Sequence, residues 1–146
     1  MQRLFILLVL FTFVACFQSE KQETTSTTTS GSIADQVETM LDNRAYEEAL
    51  ELLAGEEESP EILKLKEKTH LNYGLYLEYD NSNTEMTMRD KMTGAMYQYI
   101  EVLKLNRDNE KAITEVEQIL GIYSTFPNRQ PDPKVMEELR NLGFNV

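Results

Sequence analysis

A single cysteine, Cys16, closes an apolar N-terminal run, and its position constrains how the rest of the chain can fold. Arg3 supplies one positive charge, Leu4 to Val14 is apolar except for Thr12, and the slim Ala15 precedes the cysteine. These 11 residues rise about 16 Å as a helix, roughly half of a ~30 Å hydrocarbon core, so the run is too short to cross a bilayer. A charged start, an apolar stretch and a small residue, in that order, are the plan of an export signal. The remainder then has no cysteine for a disulfide or a thiolate metal site, and its fold must rest on apolar packing.

The tetrad Phe13-Val14-Ala15-Cys16 resembles the lipobox of bacterial lipoproteins, with Phe13 in place of the usual leucine. The resemblance implies a signal peptide over 1–15, cleavage between Ala15 and Cys16, and acylation of Cys16 as the mature N-terminus. Lipoproteins of this kind carry two or three acyl chains, enough for lasting attachment where a single chain is marginal. Phe17, not aspartate, follows the cysteine, which by family analogy favours the outer membrane facing the periplasm. The alternatives are a plain secretory signal with an incidental cysteine, or a short hydrophobic anchor.

Charge narrows the partners. The chain carries 25 acidic and 14 basic residues, a formal charge of −11, and the basic Arg3 lies in the leader. Nucleic-acid binding rests on Lys and Arg neutralising phosphates, so none is expected. A polybasic attachment to an anionic membrane surface is excluded on the same ground. Residues 17–32 read FQSEKQETTSTTTSGS, too polar to offset the entropy of ordering, and are expected to be a flexible tether. Such a tether has a typical span of about 20–24 Å, holding residues 33–146 just off the membrane.

From Ser32 the pattern is helical, and the expected fold is all-α, a short array of antiparallel helical hairpins. Ser32 and Asp35 form a capping-box pattern before Ile33, Val37, Met40 and Leu41 at helical spacing. Asp42-Asn43-Arg44 breaks that helix, and a second runs through Ala45, Tyr46, Ala49, Leu50, Leu52 and Leu53 to Gly55. Ser59-Pro60-Glu61 starts a third. Its end, LNYGLYLEY from Leu71 to Tyr79, also fits a strand that could turn at 80–84 into Met86 and Met88. Helix is the expectation, because a lone hairpin is hard to stabilise. Residues 80–89 read as a loop in either case. Met92 to Leu105 gives a fourth helix, Asp108 an N-cap for a fifth through Tyr123, and Asp132-Pro133 the start of a short sixth.

Two stretches resemble tetratricopeptide repeats: AMYQYIEVLKLNRDNEKA, Ala95 to Ala112, and NRAYEEALELL, Asn43 to Leu53. Ala95 falls at the small position where helices approach, Tyr99 at the aromatic position, and Gly74 where a first helix often carries glycine. Val102 and Arg107 depart from the repeat's usual alanine and proline. Gly74 and Ala95 are 21 residues apart, farther than the repeat places them, so 80–88 reads as an insertion. The resemblance implies a protein-binding solenoid, with 132–146 as its cap.

The residues offer little chemistry. His70 is the single histidine and has no nucleophile motif beside it. Asp80 to Thr84 is similar to the opening of a calcium loop, but Glu85 takes the glycine position and Lys91 the closing acid position, so no metal is expected. No cofactor or small-molecule substrate is indicated, and a hydrolase built on Glu57 or Asp80 is the enzymatic alternative to a non-catalytic chain. Tyr73, Tyr76, Tyr79, Tyr97, Tyr99 and Tyr123 could line a recognition groove or fill the core. Met86, Met88, Met92 and Met96 could form an adaptable patch. Lys68 and Asn72, with Lys64 and Lys66, are similar to the residues with which some repeat domains clamp a terminal carboxylate. Tyr73, Tyr76, Tyr97, Lys68 and Asn72 are therefore the candidate partner-binding set. Two functions fit: a membrane-anchored periplasmic scaffold that holds an envelope protein or peptide, or a structural bundle subunit of an envelope complex with no groove.

Overall fold

The computed structural model describes residues 31–82 and 85–146; the leader, Cys16 and the tether up to residue 30 lie outside them. Six helices follow in order: α1 (Ile33–Asp42), α2 (Tyr46–Ala54), α3 (Pro60–Tyr79), α4 (Met88–Leu105), α5 (Glu110–Ser124) and α6 (Pro133–Asn141). The described residues form no strand, and none of their helices is long and apolar enough to cross a membrane.

Caps decide where these helices begin. The Ser32 hydroxyl accepts from the Asp35 amide while the Asp35 carboxylate accepts from the Ser32 amide, closing the expected capping box. Ser59 accepts from the Ile62 amide with Pro60 in the first turn, and Asp132 accepts from the Lys134 and Val135 amides ahead of Pro133. At α5 the cap is Asn109, one residue past the expected Asp108. The Asp108 amide is engaged by the Asn106 side chain at 3.2 Å, which keeps Asp108 in the turn. At α4 the helix opens at Met88, inside the expected loop, because Thr87 accepts from the Asp90 amide.

The stretch from Leu71 to Tyr79 is helix, the last part of the 20-residue α3. Its most extensive contact is with α4, where Gly74 lies against Tyr99. A Cβ there would stand 2.5 Å from Cε1 of Tyr99, whose ring is wholly buried. A strand pairing would pull Gly74 away from that ring.

Packing divides into a small and a large core. Val37, Leu53, Ile62 and Leu65 join α1 and α2 to the start of α3. The larger cluster draws on α4, α5 and α6, including Met96, Tyr99, Ile119 and Leu139, with Leu71, Leu75 and Leu77 of α3 against it. α4 is the hub, in contact with α3, α5 and α6.

Candidate functional site

The first turns of α4 and the end of α5 enclose a half-open cavity of about 470 Å³. The reciprocal Thr87–Asp90 cap starts α4 so that Met88, Arg89 and Met92 fall on its opening turns. On the other side, the Ser124 and Thr125 hydroxyls donate back to the Gly121 and Ile122 carbonyls, each at 2.7 Å, ending α5. The chain then turns through Pro127, with the Arg129 amide on the Phe126 carbonyl at 3.1 Å. That turn brings Phe126 and Arg129 over Ile122 and Tyr123.

The cavity is apolar in its walls and cationic at its edge. Met88 and Phe126 remain 57% and 46% exposed. The Arg129 guanidinium lies 5.4 Å from the centre of the Phe126 ring, and Arg89 reaches only the Gln130 carbonyl, at 3.4 Å. Neither arginine meets a carboxylate among the described residues. Beneath them the buried Tyr123 hydroxyl has no hydrogen-bond partner. A volume of this size falls in the range of about 300–1,000 Å³ common to ligand pockets.

Tyr73 and Tyr76 come together elsewhere, at the corner where α2 begins. Tyr46 stacks on Tyr73 with ring centres 5.1 Å apart, and meets Tyr76 at 5.3 Å with the two rings tilted by 40°. Arg44 covers the Tyr76 ring at 5.3 Å and pairs with Asp80 at 2.7 Å. The Tyr73 hydroxyl donates to Glu47 at 2.8 Å, and burial together with that bond pushes its pKa up to about 12. These rings satisfy one another and leave a shallow hollow of about 140 Å³.

The other expected binding residues have internal tasks. Lys68 pairs with Glu38 of α1, and the Asn72 amide donates to the Lys68 carbonyl at 2.8 Å. Tyr97 faces α6, where its hydroxyl donates to Asp132 at 3.3 Å. Burial, then Asp132, raises the Tyr97 pKa. Of the methionines, Met96 is core, Met86 lies in a separate crevice near Lys91, and Met88 and Met92 line the cavity. His70 bonds to Gln98 across the α3–α4 seam at 2.8 Å. Lys91, buried, donates to the Asp80 carbonyl at 2.8 Å, placing a cation at the closing position of the calcium-loop pattern.

Two carboxylates are drawn into the seam between α3 and α5. Tyr99 donates to Glu78 at 2.8 Å, Tyr79 donates to Glu115 at 2.6 Å, and Gln118 bridges Glu78 and the Tyr79 oxygen. Lys111 pairs with the 2%-exposed Glu115. Burial lifts the Glu78 carboxyl above its ordinary value, and neighbouring Glu115 adds to this. The bond to Glu115 holds the Tyr79 hydroxyl at about 12. Every carboxylate oxygen here has a hydrogen-bond or ion-pair partner, and the cluster ties α3, α4 and α5 together. No group of three or more metal-ligating side chains occurs among the described residues.

Sequence reasoning missed Arg89, Phe126 and Arg129. The one cue was the apolar Phe126 beside Pro127, between the fifth and sixth expected helices. The chain matches no family model, and no curated protein or solved structure is significantly similar to it.

Proposed function

We propose that this chain is a lipid-anchored protein of the bacterial cell envelope whose helical part is a non-catalytic protein-binding module. The observation that carries the binding role is the cavity between α4 and α5, whose apolar walls and carboxylate-free arginines suit a partner segment. Exposed large apolar side chains elsewhere are scattered singly, at Leu63, Tyr79 and Leu105, whereas Met88 and Phe126 meet at one place. That pattern favours a groove over a broad face buried by assembly.

The anchor rests on the lipobox-like tetrad ending at Cys16, with outer-membrane placement suggested by Phe17. The helices are read as a short tetratricopeptide-like array. The contact of Gly74 with Tyr99 and the complete burial of Ala95 support that reading, because both positions carry the resemblance. Tethered to the bilayer, the module would search a shell set by its polar segment, where a partner's effective concentration is high.

Intact mass of the protein purified from the membrane fraction tests the anchor. A lipid-modified species beginning at Cys16 is expected, with release from the membrane in Cys16→Ala. An unmodified chain still carrying Met1 would overturn it.

A further inference from the structure

We propose that the cavity between α4 and α5 takes a short peptide segment combining apolar and acidic side chains. The apolar groups would seat on Met88, Met92 and Phe126, and the carboxylates on Arg89 and Arg129. This inference rests on reading the domain as a protein-binding module and names the chemistry of its partner.

Charge carries the choice. Among the described residues Arg44, Lys66, Lys68, Lys104 and Lys111 pair with carboxylates; Arg89 and Arg129, like Lys64, Lys91, Arg107, Lys134 and Arg140, do not, and these two arginines line one cavity together. Neither guanidinium at the edge of this apolar cavity pairs with a carboxylate among the described residues. A guanidinium binds a carboxylate through paired, charge-assisted hydrogen bonds, and each one here has that capacity to spare. The net charge of −11 does not forbid an acidic partner, because charges beyond about 8 Å are screened at physiological ionic strength. The local pair of arginines then decides the sign that a bound segment meets.

The walls suit a peptide. Met88 and Met92 are unbranched and can repack around unlike apolar side chains. Arg89 extends from α4 and Arg129 from the turn after α5, so the cations approach from two sides. An extended segment with separated carboxylates can engage both, whereas a simple amphiphile has one anionic head.

A random decapeptide library panned on the full-length protein in detergent, beside the Arg89→Ser/Arg129→Ser double variant, tests the proposal. Both arginines are exposed, and unchanged circular-dichroism melting will establish that the variant is folded. The expected outcome is enrichment of peptides that pair apolar with acidic residues. Synthetic copies should lose about tenfold or more in affinity for the double variant, the scale of one charge-assisted hydrogen bond. Enrichment of basic peptides, or equal binding by the double variant, would overturn it. So would enrichment of no peptide while decanoate binds in an arginine-dependent way. Peptides that ignore the arginines but are lost in Tyr73→Ala would overturn the groove and leave the binding-module reading standing. If no face enriches any peptide, both readings fall.

Discussion

Arg44 and Arg129 each lie over an aromatic ring, 5.3 Å from Tyr76 and 5.4 Å from Phe126, yet their surroundings differ. Arg44 also holds Asp80, so α1, α2 and α3 close around it. Arg129 lines an open apolar cavity with Arg89 and pairs with no carboxylate among the described residues. The backbone tells the same story. Arg44 has a positive φ of 61° at the end of α1, where its amide bonds to the Leu41 carbonyl and that of Ala45 to Met40. The identical turn after α6 uses Gly143, φ 85°, with Gly143 bonded to Arg140 and Phe144 to Leu139. Glycine is the low-cost residue for this turn. An arginine there accepts backbone strain, offset by what its guanidinium holds. The same pairing of cation and ring is thus closed at one end of the molecule and available at the other.

The largest effect on this contrast is expected from lifting α3 off α4, because the corner rides on α3 and the cavity on α4. Gly74→Ala would drive a Cβ into the buried Tyr99 ring, costing about 1–3 kcal/mol of stability. Urea unfolding will show it as a lower midpoint; an unchanged midpoint would mean that the seam yields easily.

Matched substitutions sharpen the comparison at smaller scale. Arg44→Gln keeps the stem and the strained backbone but removes the cation over Tyr76, and should cost about 0.5–1 kcal/mol for the ring contact alone. Arg129→Gln loses a ring contact of the same kind, over Phe126, also about 0.5–1 kcal/mol, but no ion pair among the described residues, whereas Arg44→Gln gives up the Asp80 pair besides. Equal losses in chemical denaturation would erase the distinction between a structural arginine and an available one.

The smallest effect lies between the two regions, at Glu78. Burial raises its pKa in the folded chain, so folding takes up a proton as pH falls from neutral. The stability this brings is present at low pH and is lost as pH rises through the raised value. Relative to Glu78→Gln, the parent should therefore gain stability as pH falls from neutral toward the ordinary glutamate value of about 4.3. Thermal midpoints of the two that move in parallel would show that Glu78 has no special role.

Much of the fold was legible because helix ends are local chemistry. Ser32 with Asp35, Ser59-Pro60 and Asp132-Pro133 each satisfy amides within a few residues, and the structure uses all three. The break at Asn43 and Arg44 was legible on the same ground. Tyr73 and Tyr76 were picked out and do meet, but Tyr97 does not join them. It shares their composition and not their face, since its hydroxyl is held by Asp132 on α6. Lys68 and Asn72 lie on α3 as the spacing implied, with their polar ends taken up by Glu38 and the helix backbone. The cavity was not legible. Its two arginines are 40 positions apart, and its wall at Met88 belongs to a helix whose first turn resembled loop.

The sequence by itself determined the six helices of the described residues, the caps at Ser32, Ser59 and Asp132, the acidic balance and the absence of any cysteine beyond Cys16, because each depends on residue type and near neighbours. Tertiary structure alone decided that α3 settles on α4 through Gly74 and Tyr99. It alone brought Arg89 and Arg129 to one apolar hollow while pairing Arg44 with Asp80 and Lys68 with Glu38. Side chains remote in sequence acquire neighbours only when helices dock, and docking answers to the shape of whole faces, which no local spacing encodes.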